Sequence, residues 1–195
     1  MKKMIEKILR ESIKVKEGFI RENIQELILL AEKIVLAFTN DRKLLICGNG
    51  GSAADAQHIA AELVNRFELE RPPLPAIALT TDTSIITSIG NDYSFDDVFA
   101  KQVKAIGIEG DILLAISTSG SSPNILAAVE AAENQGIYVM GLTGRDGGKL
   151  KEVADSCLVV KSDSTARIQE THILTGHIIC SLVDYILFQQ GIPEN

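Results

Sequence analysis

Residues 4–38 place apolar side chains at the spacing of one helix face. Met4, Ile5, Ile8, Leu9 and Ile13 fall on it, and beyond Gly18 so do Ile20, Ile24, Leu27, Ile28, Ala31, Ile34, Val35 and Phe38. One long helix and two helices joined near Gly18 both satisfy this pattern, which ends at Asn40-Asp41. The period then changes. Leu44-Leu45-Ile46-Cys47, Ala76-Ile77-Ala78-Leu79, Ile112-Leu113-Leu114-Ala115-Ile116, Val139-Met140-Gly141-Leu142 and Cys157-Leu158-Val159-Val160 are short continuous apolar runs, bounded by Gly, Pro, Asp, Ser or Thr. Runs without alternation suit strands covered on both faces, as in a parallel sheet. Helical patterns over residues 52–67, 83–89, 95–106, 123–135 and 149–154 separate them, and a long apolar one follows over residues 166–188. The alternation predicts an α/β fold: a doubly wound, mainly parallel five-stranded sheet flanked by helices, with a helical N-terminal arm over residues 1–40. A chain of 195 residues suits one such domain, 1–195, since no linker or repeat divides it.

Such a sheet binds ligands beyond the C-terminal ends of its strands, which directs attention to the loops after Cys47, Leu79, Ile116 and Leu142. Gly48-Asn49-Gly50-Gly51-Ser52 joins a strand to a helix. Glycines there permit positive φ and close approach of a ligand to the amides, and Ser52 suits the N-cap. Free amides at a helix start attract an anion. Gly48, Gly50 and Ala53 also match the dinucleotide fingerprint, but the next candidate ribose-binding acid, Asp82, lies 29 residues beyond Ala53, against a usual spacing of about 20. Ser117-Thr118-Ser119-Gly120-Ser121-Ser122 precedes Pro123, which suits a first helical turn. Hydroxyls, amides and a helix start together can hold a phosphate without Lys or Arg; a Ser-rich surface turn is the plainer alternative.

Charge narrows the partners. Nineteen Lys and Arg against twenty-six Asp and Glu leave a net charge of −7, unsuited to general binding of nucleic-acid backbones. The hydrophobic share of 46% argues against disorder, and the longest apolar runs are too short for a membrane span. The charged first turns show no signal-peptide stretch. Cys47, Cys157 and Cys180 form no close pair and read as reduced, buried thiols of a cytoplasmic protein.

His58 and Glu62, four apart, share a helix face that starts at the glycine-rich loop. They are candidates for acid–base work, with an exposed surface pair as the plainer reading of the spacing. Arg167, Gln169, Glu170, His172 and His177 follow in the last helix. Gln169 and His177 stand about 12 Å apart along a straight helix. One site can use both only if the helix breaks near Gly176 or the two come from different subunits. Asn91-Asp92 is either a turn or a ligand-facing loop.

Together these segments resemble the sugar isomerase (SIS) domain family and, within it, the phosphoheptose isomerase family. The carriers are residues 47–52, Asp55 with His58 and Glu62, Gly90-Asn91-Asp92, Ser117-Thr118-Ser119-Gly120 with Ser122, Leu142-Thr143-Gly144, and Arg167-Ile168-Gln169-Glu170 with His172 and His177. The resemblance implies an aldose–ketose isomerase converting sedoheptulose 7-phosphate to D-glycero-D-manno-heptose 7-phosphate for bacterial surface heptose, in lipopolysaccharide core or capsule. It implies substrate contacts from Asn49, Gly50, Gly51, Ser52, Glu62, Asn91, Asp92, Ser117, Thr118, Ser119, Ser122 and Gln169. It implies Glu62 as catalytic base with His177 as its partner acid. It also implies a zinc ion per subunit on His58, Glu62, Gln169 and His177, and a homotetramer with sites at subunit interfaces. A non-catalytic relative that binds the bacterial replication initiator shares the strands and the Arg-Ile-Gln-Glu segment. The histidine at 177 and the intact glycine-rich loop favour the enzyme.

Overall fold

The computed structural model describes residues 1–189. The five apolar runs form five strands, all parallel: β1 (Leu44–Gly48), β2 (Ala76–Ala78), β3 (Ile112–Ser117), β4 (Tyr138–Gly144) and β5 (Ser156–Val160), in the order β2-β1-β3-β4-β5. Among the described residues seven α-helices accompany them: α1 (Lys2–Thr39), α2 (Gly51–Val64), α3 (Thr83–Asp92), α4 (Ala100–Ile106), α5 (Pro123–Glu133), α6 (Leu150–Val153) and α7 (Thr165–Asp184). Successive strand residues face opposite sides. Leu44, Ile46, Ile112, Leu114 and Ile116 therefore join one core with α1, α2 and α7. Leu45, Cys47, Leu113 and Ala115 join a second core with α4 and α5. Burial on both faces explains why the runs lack alternation.

α1 is one uninterrupted helix through Gly18, where nothing stands within 4 Å of an added Cβ. Its 38 residues span about 57 Å, so Leu27, Leu30, Ala31 and Ile34 bury while Met4, Ile5, Leu9 and Ile13 stay exposed. The pattern over 95–106 divides. Ser94 accepts from the Asp96 amide at 3.1 Å and tightens residues Phe95–Asp97 into a 3-10 turn, and α4 begins after Val98 and Phe99 enter the core. α7 continues as a π-helical turn over Tyr185–Gln189. By length and composition Thr165–Gln189 could cross a membrane. It instead packs against α1, α2 and β4 and carries Arg167, His172 and Asp184 in buried positions, as a core helix does.

β1 sits between β2 and β3, so the strand order reverses there and a crevice opens beyond the C-terminal ends of β1 and β3. Both candidate anion loops leave from those two ends.

Candidate active site

The glycine-rich loop closes tighter than the Ser52 cap predicts. Gly50 takes φ 55° and is itself the N-cap, so α2 starts at Gly51. Ser52 is buried in the first turn, its amide donating to the Asn49 carbonyl at 3.0 Å. The left-handed backbone at Gly50, which glycine adopts freely, turns the chain two residues early. Gly50 brings no side chain to the helix start, so no side chain caps it, while the Ser52 and Ala53 amides turn inward to the Asn49 and Gly50 carbonyls at 3.0 and 3.1 Å. At Gly48 a Cβ would stand 2.5 Å from the Ser52 carbonyl oxygen.

The second loop is closed by its own hydroxyls. Ser117 Oγ and Ser122 Oγ lie 3.0 Å apart, and the Gly120 amide donates to the Ser117 carbonyl at 3.1 Å with φ 64° at Gly120. Ser122 stands at the N-cap position of α5 without a side-chain cap bond, and Pro123 opens the helix, as the sequence predicts. The two loops are joined by a reciprocal amide pair that sequence reading did not single out. Asn49 Nδ2 donates to Asn124 Oδ1 at 2.8 Å, and Asn124 Nδ2 donates to Asn49 Oδ1 at 2.9 Å. Its only signal was the position of Asn124 at the start of α5.

Across α2 and α7, His58 Nε2 stands 2.9 Å from His177 Nε2 and 3.3 Å from Glu62 Oε1. A bond between two Nε2 atoms needs one N–H and one lone pair, so this arrangement admits at most one imidazolium. Phe67 stacks on His177 at 5.4 Å between ring centroids. α7 runs unbroken through Gly176. That glycine lets the helices touch: a Cβ there would lie 2.7 Å from Ile59 Cδ1 and Cγ1. Gln169 sits at the other end of α2, its carboxamide where a Cβ on Gly51 would be. One chain therefore brings together His58, Glu62 and His177, and separately Gln169 and the glycine-rich loop. Asn91 and Asp92 end α3 on the exposed surface, Asn91 Nδ2 donating to Asp92 Oδ1 at 2.8 Å. Among the described residues no hydrogen bond ties them to the other loops.

Among the described residues no three His, Cys, Asp or Glu side chains stand in the arrangement of a metal centre. By chemistry, two imidazole nitrogens and a carboxylate oxygen are donors of the zinc type, although here His58 Nε2 contacts His177 and Glu62 directly. One turn before His58, burial pushes the Asp55 carboxyl up to about 6, opposed by the nearby His58, and its Oδ2 is buried with no partner. Burial pushes the thiols of Cys47 and Cys180 up to about 12 and that of the partly buried Cys157 to about 11, so none supplies a thiolate nucleophile.

The Arg-Ile-Gln-Glu segment divides its labour. Arg167 donates to the Ile8 carbonyl at 3.0 Å and to Glu170, which accepts from Ser12 Oγ at 2.7 Å. Those two fasten α1 to α7, Ile168 fills the core, and Gln169 alone turns to the loop. His172 is fully buried, with Nε2 3.1 Å from the Thr143 carbonyl, and burial pushes it down to about 4. The folded value lies below the ordinary one. The stability this neutral ring contributes is therefore complete above pH ~6.5 and lost as pH falls toward 4, to the extent of roughly 3 kcal/mol. Asp55, raised on folding, acts in the opposite sense over part of that range. Urea midpoints of His172→Gln, which keeps an N–H for Thr143, are expected to fall less between pH 6.5 and 4.5 than those of the parent. An unchanged slope would assign the acid loss elsewhere.

A SIS domain family model matches residues 9–144. A phosphoheptose isomerase of Nitratidesulfovibrio vulgaris is 54% identical over 179 residues, 92% of this chain and 86% of that protein. That of Clostridium acetobutylicum is 48% identical over 196 residues, covering 100% of both chains. The solved phosphoheptose isomerase of Neisseria gonorrhoeae superposes with a TM-score of 0.89 at 47% identity, over 94% of this chain and 98% of that one.

Proposed function

The chain belongs to the SIS domain family, among its phosphoheptose isomerases, and on that premise we propose how its residues perform the reaction. It is an aldose–ketose isomerase acting on sedoheptulose 7-phosphate to give D-glycero-D-manno-heptose 7-phosphate. The relatives reported above are all named as isomerases, which favours the enzyme over the adaptor. The observation that carries the residue assignment is the meeting of His58, Glu62 and His177 on two helices, one of which begins at the glycine-rich loop.

Isomerisation moves a proton between C1 and C2 through an enediol(ate), which needs a base at carbon and an acid at oxygen. Glu62 takes the carbon-bound proton. His177, held by Phe67 and His58, passes a proton between the two sugar oxygens. Ser117, Thr118, Ser119 and Ser122, with the first turn of α5, hold the phosphate by neutral donors, as suits an acidic chain. The anchored phosphate orients the open-chain sugar. Asn49, Gly50, Gly51, Ser52, Asn91, Asp92 and Gln169 contact its hydroxyls. His58, Glu62, Gln169 and His177 would hold a zinc ion, one per subunit, which when bound supplies positive charge for oxygens of the substrate.

We further propose a homotetramer with sites shared between subunits. Three features support it. Gln169 and His177 of one chain serve opposite ends of α2, the His58 side chain is 46% exposed, and Leu29, Leu36 and Met4 leave apolar surface open on α1. The partners are then a sugar phosphate and copies of the chain, with no nucleic acid or membrane, in the cytoplasm, supplying heptose for surface polysaccharide.

Incubation with sedoheptulose 7-phosphate in heavy water tests the assignment. Deuterium is expected at the carbon beside the carbonyl, and its absence during turnover would replace proton transfer to solvent-exchanging Glu62 by a direct hydride shift.

A further inference from the structure

Arg71 lies in the segment between α2 and β2, outside every motif, yet its side chain is only 1% exposed and makes five hydrogen bonds. Nε donates to Asp184 Oδ1 at 2.9 Å, Nη2 to the Glu62 carbonyl at 2.9 Å and Nη1 to the Leu63 carbonyl at 2.6 Å. Longer bonds run from Nη1 to the carbonyls of Pro72 at 3.2 Å and Asn65 at 3.5 Å. The last carbonyls of an α-helix have no partner within it. A planar guanidinium with several fixed donors can serve two of them at once, which an ammonium point charge does poorly. Asp184 is the last residue of α7. Arg71 therefore joins the C-terminal end of α2, which carries Glu62, to α7, which carries His177, at Asp184 where the α-helical turns pass into the π-helical one. Gly176 against Ile59 is the other pin, and Glu62 lies between the two.

We propose that Arg71 is a positioning residue for Glu62: by bonding the carbonyl of Glu62 itself, it fixes the direction in which that carboxylate leaves the helix. The inference rests on the proposed role of Glu62 as base. Asp184 holds the guanidinium but does not touch α2 in this scheme, so the two halves of the ion pair have different consequences. Misplacing a catalytic group by an ångström can cost about 100-fold in rate.

The full chain is assayed with sedoheptulose 7-phosphate as three variants beside Glu62→Gln. Arg71→Met with Asp184→Leu removes both buried charges together and leaves neither unpaired. It is expected to fold with a lower melting temperature, because the Glu62 carbonyl loses its donor, to lose ~10-fold or more in kcat, and to keep KM within about twofold, because the phosphate loop is untouched. Arg71→Lys is expected to lose kcat in the same way. Asp184→Asn keeps both the arginine and an acceptor, and is expected to hold kcat within about twofold even with a lower melting temperature. A folded double variant with parental kcat overturns the proposal. So does an Asp184→Asn loss equal to that of the double variant, which would assign the effect to the ion pair alone. If the double variant does not fold, Arg71→Lys decides, parental kcat overturning the proposal. Full turnover by Glu62→Gln would overturn the reading of the base instead, whatever Arg71 does.

Discussion

Glu62→Gln is expected to lower kcat by about 1,000-fold while leaving the sugar phosphate bound. The substitution keeps the shape of the side chain and removes its negative charge, and with it the ability to accept a proton. Glu62 makes one short contact, 3.3 Å to His58, and its side chain is partly open, so the fold loses little: about 0.5 kcal/mol or less is ordinary for such a position. The informative measurement is a pair, turnover by a coupled assay and substrate affinity by calorimetry on the same preparation. Lost turnover with retained affinity identifies an interaction made only in the transition state. Near-parental turnover would dismiss Glu62 as base, and a parallel collapse of affinity would make it a substrate anchor.

The second large effect is at Gly120. Its φ of 64° lies in the left-handed region, and a Cβ there would run into the Gly147 carbonyl oxygen with Thr143 Oγ1 at 2.9 Å. The Gly120 carbonyl also accepts from the Leu150 amide at 2.9 Å, so the loop cannot move aside without releasing α6. Left-handed backbone costs an L-residue about 1–2 kcal/mol, and displacement of a backbone carbonyl adds to it. Gly120→Ala is expected to lose roughly 3 kcal/mol of stability and to raise KM well above the parental value, with kcat less affected at saturation. Thermal melting and KM on one preparation check this together. A parental KM would move the phosphate away from the Ser117–Ser122 hydroxyls.

How much of the site could be read from the chain depends on how local each feature is. The His58–Glu62 pairing follows from i,i+4 spacing, and Pro123 at the start of α5 follows from its fixed φ. The N-cap at Gly50 in place of Ser52 was not legible, because glycine at that point permits two ways of closing the turn. The Asn49–Asn124 pair joins residues 75 apart and the His58–His177 contact residues 119 apart. No periodicity records such distances. Arg71 gave no sign at all: an isolated arginine beside Pro72-Pro73 looks like a surface residue until two helix ends close over it.

By itself, then, the order of residues determined the alternation of strands and helices, the strands buried on both sides, and the two turns fit to receive an anion. All of these arise from side-chain periodicity and backbone preference over a few neighbouring residues. Only the tertiary structure decided which groups meet: that α7 passes unbroken and close enough at Gly176 to bring His177 onto His58, that Gln169 serves the other end of α2, and that Arg71 bonds both the Glu62 carbonyl and Asp184. Those contacts depend on how two helices pack, which is a property of complementary surfaces far apart in the chain.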